Sequence, residues 1–133
     1  MQDQAAKKRI LVIDDDEKVL ISLECLLENE GYETTTAWSG QEGLVLLRSE
    51  PFDMVLLDDY LRDIEHEEIF TEIRGMEVQP LVILTESAGM PEESRRFIGM
   101  GASAVVSKWA PCEEIAAEVR KCFARIAVDT VLR

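Results

Sequence analysis

The sequence has few basic residues and no apolar run long enough to cross a membrane. It carries 14 Lys and Arg residues against 27 Asp and Glu residues, which gives a formal net charge of −13. Because binding to nucleic acid or to an anionic membrane requires a basic surface, this charge argues against both. Residues 1–9 (MQDQAAKKR) also lack the apolar segment of a secretion signal. We therefore expect a cytoplasmic protein that binds neither nucleic acid nor membrane.

Cysteine is scarce as well, with only 3 residues, Cys25, Cys112 and Cys122. An odd number of cysteines without metal-ligand spacing indicates reduced thiols in a cytosol. Cys122 falls on the apolar face of a predicted helix, so we expect it to pack in the core.

Length and composition indicate one globular domain. The chain has 133 residues, 47% of them hydrophobic, and shows no internal repeat, linker or low-complexity segment. We expect a flexible N-terminal arm at residues 1–8, a folded domain at 9–127 and a C-terminal tail at 128–133, with no output domain after it.

Apolar runs and helical periodicity alternate along the whole chain. The predicted strands lie at 10–13, 32–37, 52–57, 80–85 and 103–107. The predicted helices lie at about 17–30, 39–49, 65–74, 91–100 and 111–127. Five strand–helix repeats predict an α/β fold, a doubly wound parallel sheet with helices on both faces.

Polar residues follow the apolar runs at the strand ends. Asp14 and Asp15 follow the first strand, Asp58 follows the third, Thr85 ends the fourth and Lys108 follows the fifth. Ligands of such sheets bind beyond the carboxyl ends of the strands, so these side chains are expected to converge there. Clustered carboxylates repel one another unless a cation joins them, and Mg²⁺ suits oxygen ligands. A carboxylate can also attack phosphorus and form an acyl phosphate.

Four motifs, ILVIDDDEKV, DMVLLDDYLRD, PLVILTES and GASAVVSK, together resemble the response-regulator receiver domain of two-component signalling, over about residues 8–127. The resemblance implies a flavodoxin-like (βα)5 three-layer sandwich with strand order 2-1-3-4-5. It implies a module of phosphorelay signal transduction that takes a phosphoryl group from a histidine kinase or phosphotransfer protein. Such a protein is not an enzyme, except that it catalyses its own phosphorylation and dephosphorylation.

The resemblance also assigns roles to individual residues. Asp58 would be the phosphoacceptor, Asp15 a direct Mg²⁺ ligand and Asp14 a ligand acting mainly through water. The backbone carbonyl of Tyr60 would complete the protein ligands. Thr85 and Lys108 would bind the phosphoryl group.

Several positions depart from the family pattern. Trp109 stands where the family usually has a proline after the lysine, so we expect a trans Lys108–Trp109 peptide bond. Val105 stands at the position of the usual aromatic switch residue, and Glu86 where a small residue is common. None of these positions is assigned to phosphoryl transfer, so we expect that reaction to be intact. We expect the response of the protein to phosphorylation to differ from the usual response of the family.

We expect no direct role in phosphoryl transfer for the histidine, for Trp38 or for three further aspartates. His66, the single histidine, stands where the family commonly has a glycine and is expected to be exposed early in the third helix. Trp38 is expected to pack near the second helix. Asp16, Asp59 and Asp63 are expected to be solvated loop acids.

Partner binding follows from the resemblance too. The fourth helix, fifth strand and fifth helix form the usual partner face, which could bind an unknown downstream protein or a second copy of the chain. Trp109, at the edge of this face, could contact a partner or pack in its loop.

Three other functions stay open. The Asp14-x-Asp16 pattern is typical of haloacid-dehalogenase-type phosphatases, although Lys18 does not fit that family. An FMN carrier shares the fold but needs a hydroxyl- and glycine-rich loop after the first strand. A degenerate receiver would bind partners without being phosphorylated.

Overall fold

The computed structural model describes residues 6–132, and the side chains of residues 6–126. The strands are β1 (Arg9–Ile13), β2 (Glu33–Ala37), β3 (Met54–Asp58), β4 (Leu81–Glu86) and β5 (Ala104–Ser107). The helices are α1 (Glu17–Asn29), α2 (Gly40–Ser49), α3 (His66–Arg74), α4 (Pro91–Met100) and α5 (Cys112–Leu132). The predicted alternation of strands and helices is confirmed.

All strand pairs are parallel, and the order across the sheet is β2-β1-β3-β4-β5. This confirms the predicted doubly wound, flavodoxin-like sheet. The strand added after β1 lies on one side of it, and the strands that follow lie on the other side. This reversal of strand order leaves a crevice beyond the carboxyl ends of β1 and β3. In the register of β3 and β4, Asp58 lies opposite Thr85.

The core fills both faces of the sheet because neighbouring residues of a strand point to opposite sides. On one face, Leu11 and Ile13 belong to a cluster with residues of α2, α3 and α4. On the other face, Ile10 and Val12 belong to a cluster with residues of α1 and α5. Every residue of β3 is buried, so the phosphoacceptor candidate Asp58 stands at the end of the most enclosed strand.

The helix boundaries follow local capping signals. Asp16 caps α1, where its carboxylate accepts a hydrogen bond from Lys18 N. Ser39 caps α2 through a 3.1 Å bond from Glu42 N. Gly101, with a φ of 129°, ends α4 in a backbone conformation that favours glycine.

The last helix reaches Leu132, beyond the predicted end near residue 127. The predicted limits of the arm and tail stay predictions, and residues 1–5 of the arm lie outside the described part of the chain. No helix within the described residues is both long and apolar enough to span a membrane.

The two side-chain packing predictions have opposite outcomes. Cys122 lies in the core, as predicted. Trp38 does not pack as predicted, since 71% of it is exposed. It follows directly after β2, and its backbone N donates a 2.8 Å hydrogen bond to Glu42 of α2. Capping of α2 therefore orders the backbone of Trp38 without burying its ring.

Candidate functional site

Three carboxylates meet beyond the carboxyl ends of β1 and β3. Asp14, Asp15 and Asp58 each offer an oxygen, and these oxygens lie within 4.8 Å of one another. The backbone N of Asp14 donates to Ala37 O of β2 at 3.1 Å, and its Oδ1 accepts from Asp16 N at 2.9 Å. The sheet edge and the first turn of α1 therefore hold Asp14 in place.

Lys108 reaches into this cluster from the loop after β5. Its Nζ lies 3.1 Å from Oδ1 of Asp58, to which it donates a hydrogen bond, and 2.9 Å from Oδ2 of Asp14. Its side chain is only 7% exposed. Burial lowers the pKa of Lys108, but the ion pairs of its ammonium with the Asp14 and Asp58 carboxylates outweigh burial and raise this pKa overall. Lys108 is therefore a fixed ammonium at neutral pH.

One ammonium does not compensate the buried carboxylates. Burial and the charge of Asp14 raise the pKa of Asp58 to about 7, against the opposing effects of Lys108 and the Tyr60 backbone N–H. Oδ2 of Asp14 is buried and lacks an aligned hydrogen-bond donor, although Lys108 lies close to it. The cluster is thus short of positive charge and of hydrogen-bond donors.

The donor set fits a hard divalent cation. Carboxylate oxygens are the ligands that Mg²⁺ prefers, and Oδ2 of Asp14, which pairs with Lys108 but accepts no aligned hydrogen bond, can still coordinate a cation. Asp15 is the most exposed of the three carboxylates and lies 3.4 Å from the guanidinium of Arg62, whose side chain is largely exposed. Because exposed ion pairs contribute little, Arg62 presents a weak competitor to a cation.

The other two predicted site residues lie beside the cluster. Thr85 is buried, and its Oγ1 donates a long 3.4 Å hydrogen bond to Leu57 O. Tyr60 follows in the loop after β3, and its backbone N donates to Asp58 Oδ1 at 3.4 Å. Both bonds lie at the weak end of hydrogen-bond geometry, so both groups can exchange partners at low cost.

Two acids that were expected to be solvated also bind other segments of the chain. Asp59 accepts hydrogen bonds from Ser87 N at 3.1 Å and Ser87 Oγ at 3.0 Å. Asp63 accepts from Gly40 N at 3.0 Å and Gln41 N at 2.9 Å, at the start of α2. Asp63 is exposed, in agreement with the expectation of a solvated loop acid, whereas Asp59 is partly buried. Their partners are distant in the sequence, so no local pattern indicates these contacts.

Trp109 completes a connection between loops. Its indole Nε1 donates to Ser87 O at 3.2 Å, which joins the loop after β5 to the loop after β4. Trp109 is 64% exposed. No peptide bond between described residues is cis, so the predicted trans Lys108–Trp109 bond is confirmed.

His66 contradicts its predicted exposure, since only 8% of it is exposed. Its Nε2 lies 2.8 Å from the backbone carbonyl oxygen of Asp58. A sequence signal for burial did exist, because His66 precedes Ile69, Phe70 and Ile73 at helical spacings of three, four and seven. His66 therefore lies on the same buried face of α3 as these three residues.

Known proteins resemble this chain along most of its length. Residues 10–120 match the response regulator receiver domain family. The cell cycle response regulator CtrA of Brucella ovis is 31% identical over 118 residues, which make up 88% of this chain and 50% of that protein. The chain therefore spans about half the length of the curated relatives it matches.

Solved structures support the same relationship. A CheY-like response regulator receiver domain protein from Methanospirillum hungatei JF-1 superposes with a TM-score of 0.85 at 27% identity, covering 93% of this chain and 99% of that one. A response regulator receiver domain protein from Clostridium thermocellum gives 0.80 at 25% identity, covering 91% and 98%. With the strand order and the acidic cluster, these matches show that the chain belongs to the response regulator receiver domain family, the modules of phosphorelay signal transduction.

Proposed function

We propose that Asp58 accepts a phosphoryl group from the phosphohistidine of a sensor kinase or phosphotransfer protein, in a Mg²⁺-dependent step. The observation that carries this proposal is the position of Asp58, a buried carboxylate bonded to Lys108 and grouped with Asp14 and Asp15. An Asp58 oxygen attacks phosphorus, the phosphorus–nitrogen bond breaks, and the departing imidazole keeps the bonding electron pair and takes up a proton. The product is an acyl phosphate.

The neighbouring residues would prepare this attack. Lys108 favours the ionised, nucleophilic form of Asp58 and is placed to stay close to the negative charge of the phosphoryl oxygens. The hydrogen bond from the Thr85 hydroxyl to Leu57 O is long, at 3.4 Å, and therefore weak. Thr85 can give up this bond and donate to a phosphoryl oxygen. Each residue therefore supplies a donor without a change in the sheet.

The cation would be held by Asp14, Asp15 and Asp58 with the backbone carbonyl of Tyr60. When bound, Mg²⁺ supplies positive charge that neutralises the carboxylates and the transferred phosphoryl group. Asp15, the exposed member, is the residue that must release Arg62 to serve as a ligand.

The rival functions have less support. Asp16, the second acid of the phosphatase-like pattern, caps α1 through Lys18 N and is not among the three carboxylates whose oxygens meet. A row of carboxylates would repel the phosphate of FMN. A degenerate receiver is disfavoured because the acids, the lysine and the threonine are all present at one sheet edge.

Partner binding, place in the cell and catalytic scope form the rest of the proposal. We expect the chain to bind a kinase or phosphotransfer protein and a downstream protein, with α4, β5 and α5 as the face for that protein or for homodimerisation. Its charge of −13 supports neither nucleic-acid nor membrane binding and agrees with a cytoplasmic protein. We expect it to catalyse only its own phosphorylation and dephosphorylation.

The test is direct phosphorylation by acetyl phosphate with Mg²⁺, with the modified residue mapped by mass spectrometry. We expect Asp58 to be the sole site, and Asp58→Asn to abolish modification. Asp59→Asn is the matched control because it removes a neighbouring carboxylate that bonds Ser87 instead of Lys108. Equal modification of wild type and Asp58→Asn would refute the assignment.

A further inference from the structure

His66 occupies a position that fixes its protonation pattern. It is the first residue of α3, and its Nε2 lies 2.8 Å from the carbonyl oxygen of Asp58. A carbonyl oxygen only accepts hydrogen bonds, so Nε2 must carry a proton and donate it. The contact is buried, where an unpaired donor would be costly.

A second element holds the imidazole from another side. The ring of Phe97 in α4 meets the His66 ring edge-on, with centroids 4.7 Å apart and an interplanar angle of 64°. Phe97 is itself fully enclosed in the core. Aromatic pairs favour this edge-to-face arrangement. The hydrogen bond and the ring contact together restrict the imidazole to one orientation.

The carbonyl that His66 binds belongs to a peptide unit anchored at both ends. The N–H of the same unit, on Asp59, donates to Thr85 O at 3.0 Å. The pairing of β3 with β1 ends one residue earlier, at Leu57 opposite Ile13. At the end of the strand, β4 therefore holds the N–H of this peptide unit and His66 holds its C=O.

The side chain of Asp58 leaves the backbone next to this peptide unit. Because the peptide unit is planar, holding both its N–H and its C=O also fixes the position of the Asp58 Cα, and a shift of that Cα would move Oδ1 from its 3.1 Å contact with Lys108. We propose that His66 is a positioning residue for phosphoryl transfer: it locks the peptide unit after Asp58 and so aims the Asp58 carboxylate at Lys108. This inference rests on the proposed function, in which Asp58 is the phosphoacceptor.

The experiment separates hydrogen bonding from volume. His66→Gln keeps a side-chain N–H donor of similar reach, whereas His66→Leu keeps a similar volume without any donor. Both variants lose the ring contact with Phe97, so their comparison isolates the bond to Asp58. We measure the rate of phosphorylation by acetyl phosphate at saturating Mg²⁺, and the NMR shifts of the Asp58 carbonyl carbon and the Asp59 amide.

We expect His66→Leu to slow phosphorylation about tenfold, and His66→Gln to stay within about threefold of wild type, since small misplacements of a nucleophile are costly. The Asp58 and Asp59 shifts should move in His66→Leu and stay near the wild-type values in His66→Gln. Equal rates for wild type and His66→Leu, or equal slowing in both variants, would overturn the proposal.

A measurement on the unaltered protein keeps the proposal testable if a variant does not fold. The nitrogen-15 shifts of the imidazole should show a proton on Nε2, and a neutral ring protonated only on Nδ1 would overturn the proposal. The Asp58→Asn variant distinguishes failure of the proposed function from failure of the positioning role of His66. If it is phosphorylated like wild type, the proposed function fails, while the shifts still report whether His66 binds the Asp58 carbonyl.

Discussion

Lys108 Nζ lies 3.1 Å from Oδ1 of Asp58, and this pair joins the loop after β5 to the end of β3. Both side chains are almost fully buried. The same ammonium also faces Asp14, so a single positive charge serves two enclosed carboxylates. Because of this imbalance, the stability of the protein should depend on Mg²⁺, on the charge of Asp58 and on the presence of Lys108.

Mg²⁺ should stabilise the folded protein. Its binding to the native state alone raises the free energy of unfolding by RT ln(1 + [L]/Kd), about 2.7 kcal/mol at a hundredfold excess over Kd. Thermal melts across a Mg²⁺ series at constant ionic strength measure this rise. Asp15→Asn should reduce the response most, because Asp15 is the proposed direct ligand.

Asp58→Asn should stabilise the metal-free protein while reducing its response to Mg²⁺. At pH 8 it removes a carboxylate that Asp14 repels, and we expect a gain of ~1–2 kcal/mol, within the usual range for single substitutions. Glu28→Gln is the control, since it removes one charge near the C-terminal end of α1, away from the acidic cluster at its N-terminal end. Identical wild-type melts with and without Mg²⁺, and no gain for Asp58→Asn in EDTA, would contradict a shared metal site.

The contribution of Asp58 to the stability of the metal-free protein should fall as pH rises from about 4 to about 7. The Asp58 pKa is raised to about 7 in the folded state, mainly by burial, against about 3.9 for an unperturbed Asp. In this window Asp58 holds more of its proton in the native state than in the unfolded state, so its contribution to the free energy of unfolding falls with pH, by at most about 1.4 kcal/mol per unit.

Urea unfolding of wild type and Asp58→Asn between pH 4 and pH 8 measures the effect. The difference between the two proteins removes the contributions of the other acids. The Lys108 pKa is raised from a value near 10.5, so Lys108 does not titrate in this range. A constant difference across the window would contradict the raised pKa of Asp58.

Lys108→Gln should destabilise the protein at pH 8 by about 3–5 kcal/mol, the usual cost of removing one partner of a buried ion pair. The loss should be smaller at pH 5, where Asp58 can bind a proton and needs no cation. Lys121→Gln provides the control, because Lys121 is mostly exposed and lies 3.6 Å from Glu118 on the surface of α5. Its stability should change by less than about 0.5 kcal/mol.

The sequence predicted the parts of the site that depend on topology. Asp14, Asp58 and Lys108 end or follow apolar runs, and the carboxyl ends of parallel strands must meet at one edge. It did not predict contacts that depend on loop conformation, such as Asp63 with Gly40 or Asp59 with Ser87. These partners lie 23 and 28 residues apart, and no local rule relates them.

Thr85 and Val105 suggest a different place for the readout of phosphorylation. Val105 has no ring to follow a movement of Thr85, although the two residues lie on neighbouring strands. Trp109 instead contacts the loop that follows Thr85, through the bond from its indole to Ser87 O. The Trp109 side chain also lies near Lys108, whose Nζ is 5.6 Å from the ring centroid.

The fluorescence of Trp109 should therefore change when Asp58 is phosphorylated. A movement of Thr85 toward the phosphoryl group would displace the loop that carries Ser87 and lengthen the hydrogen bond from the Trp109 indole to Ser87 O. Water would then replace Ser87 O, so we expect the Trp109 emission to shift to longer wavelength. The Trp38→Phe background leaves Trp109 as the sole tryptophan, because the chain has 2. Asp58→Asn in this background should show no shift after acetyl phosphate and Mg²⁺ are added. Full phosphorylation by mass spectrometry with unchanged emission would place the readout away from Trp109.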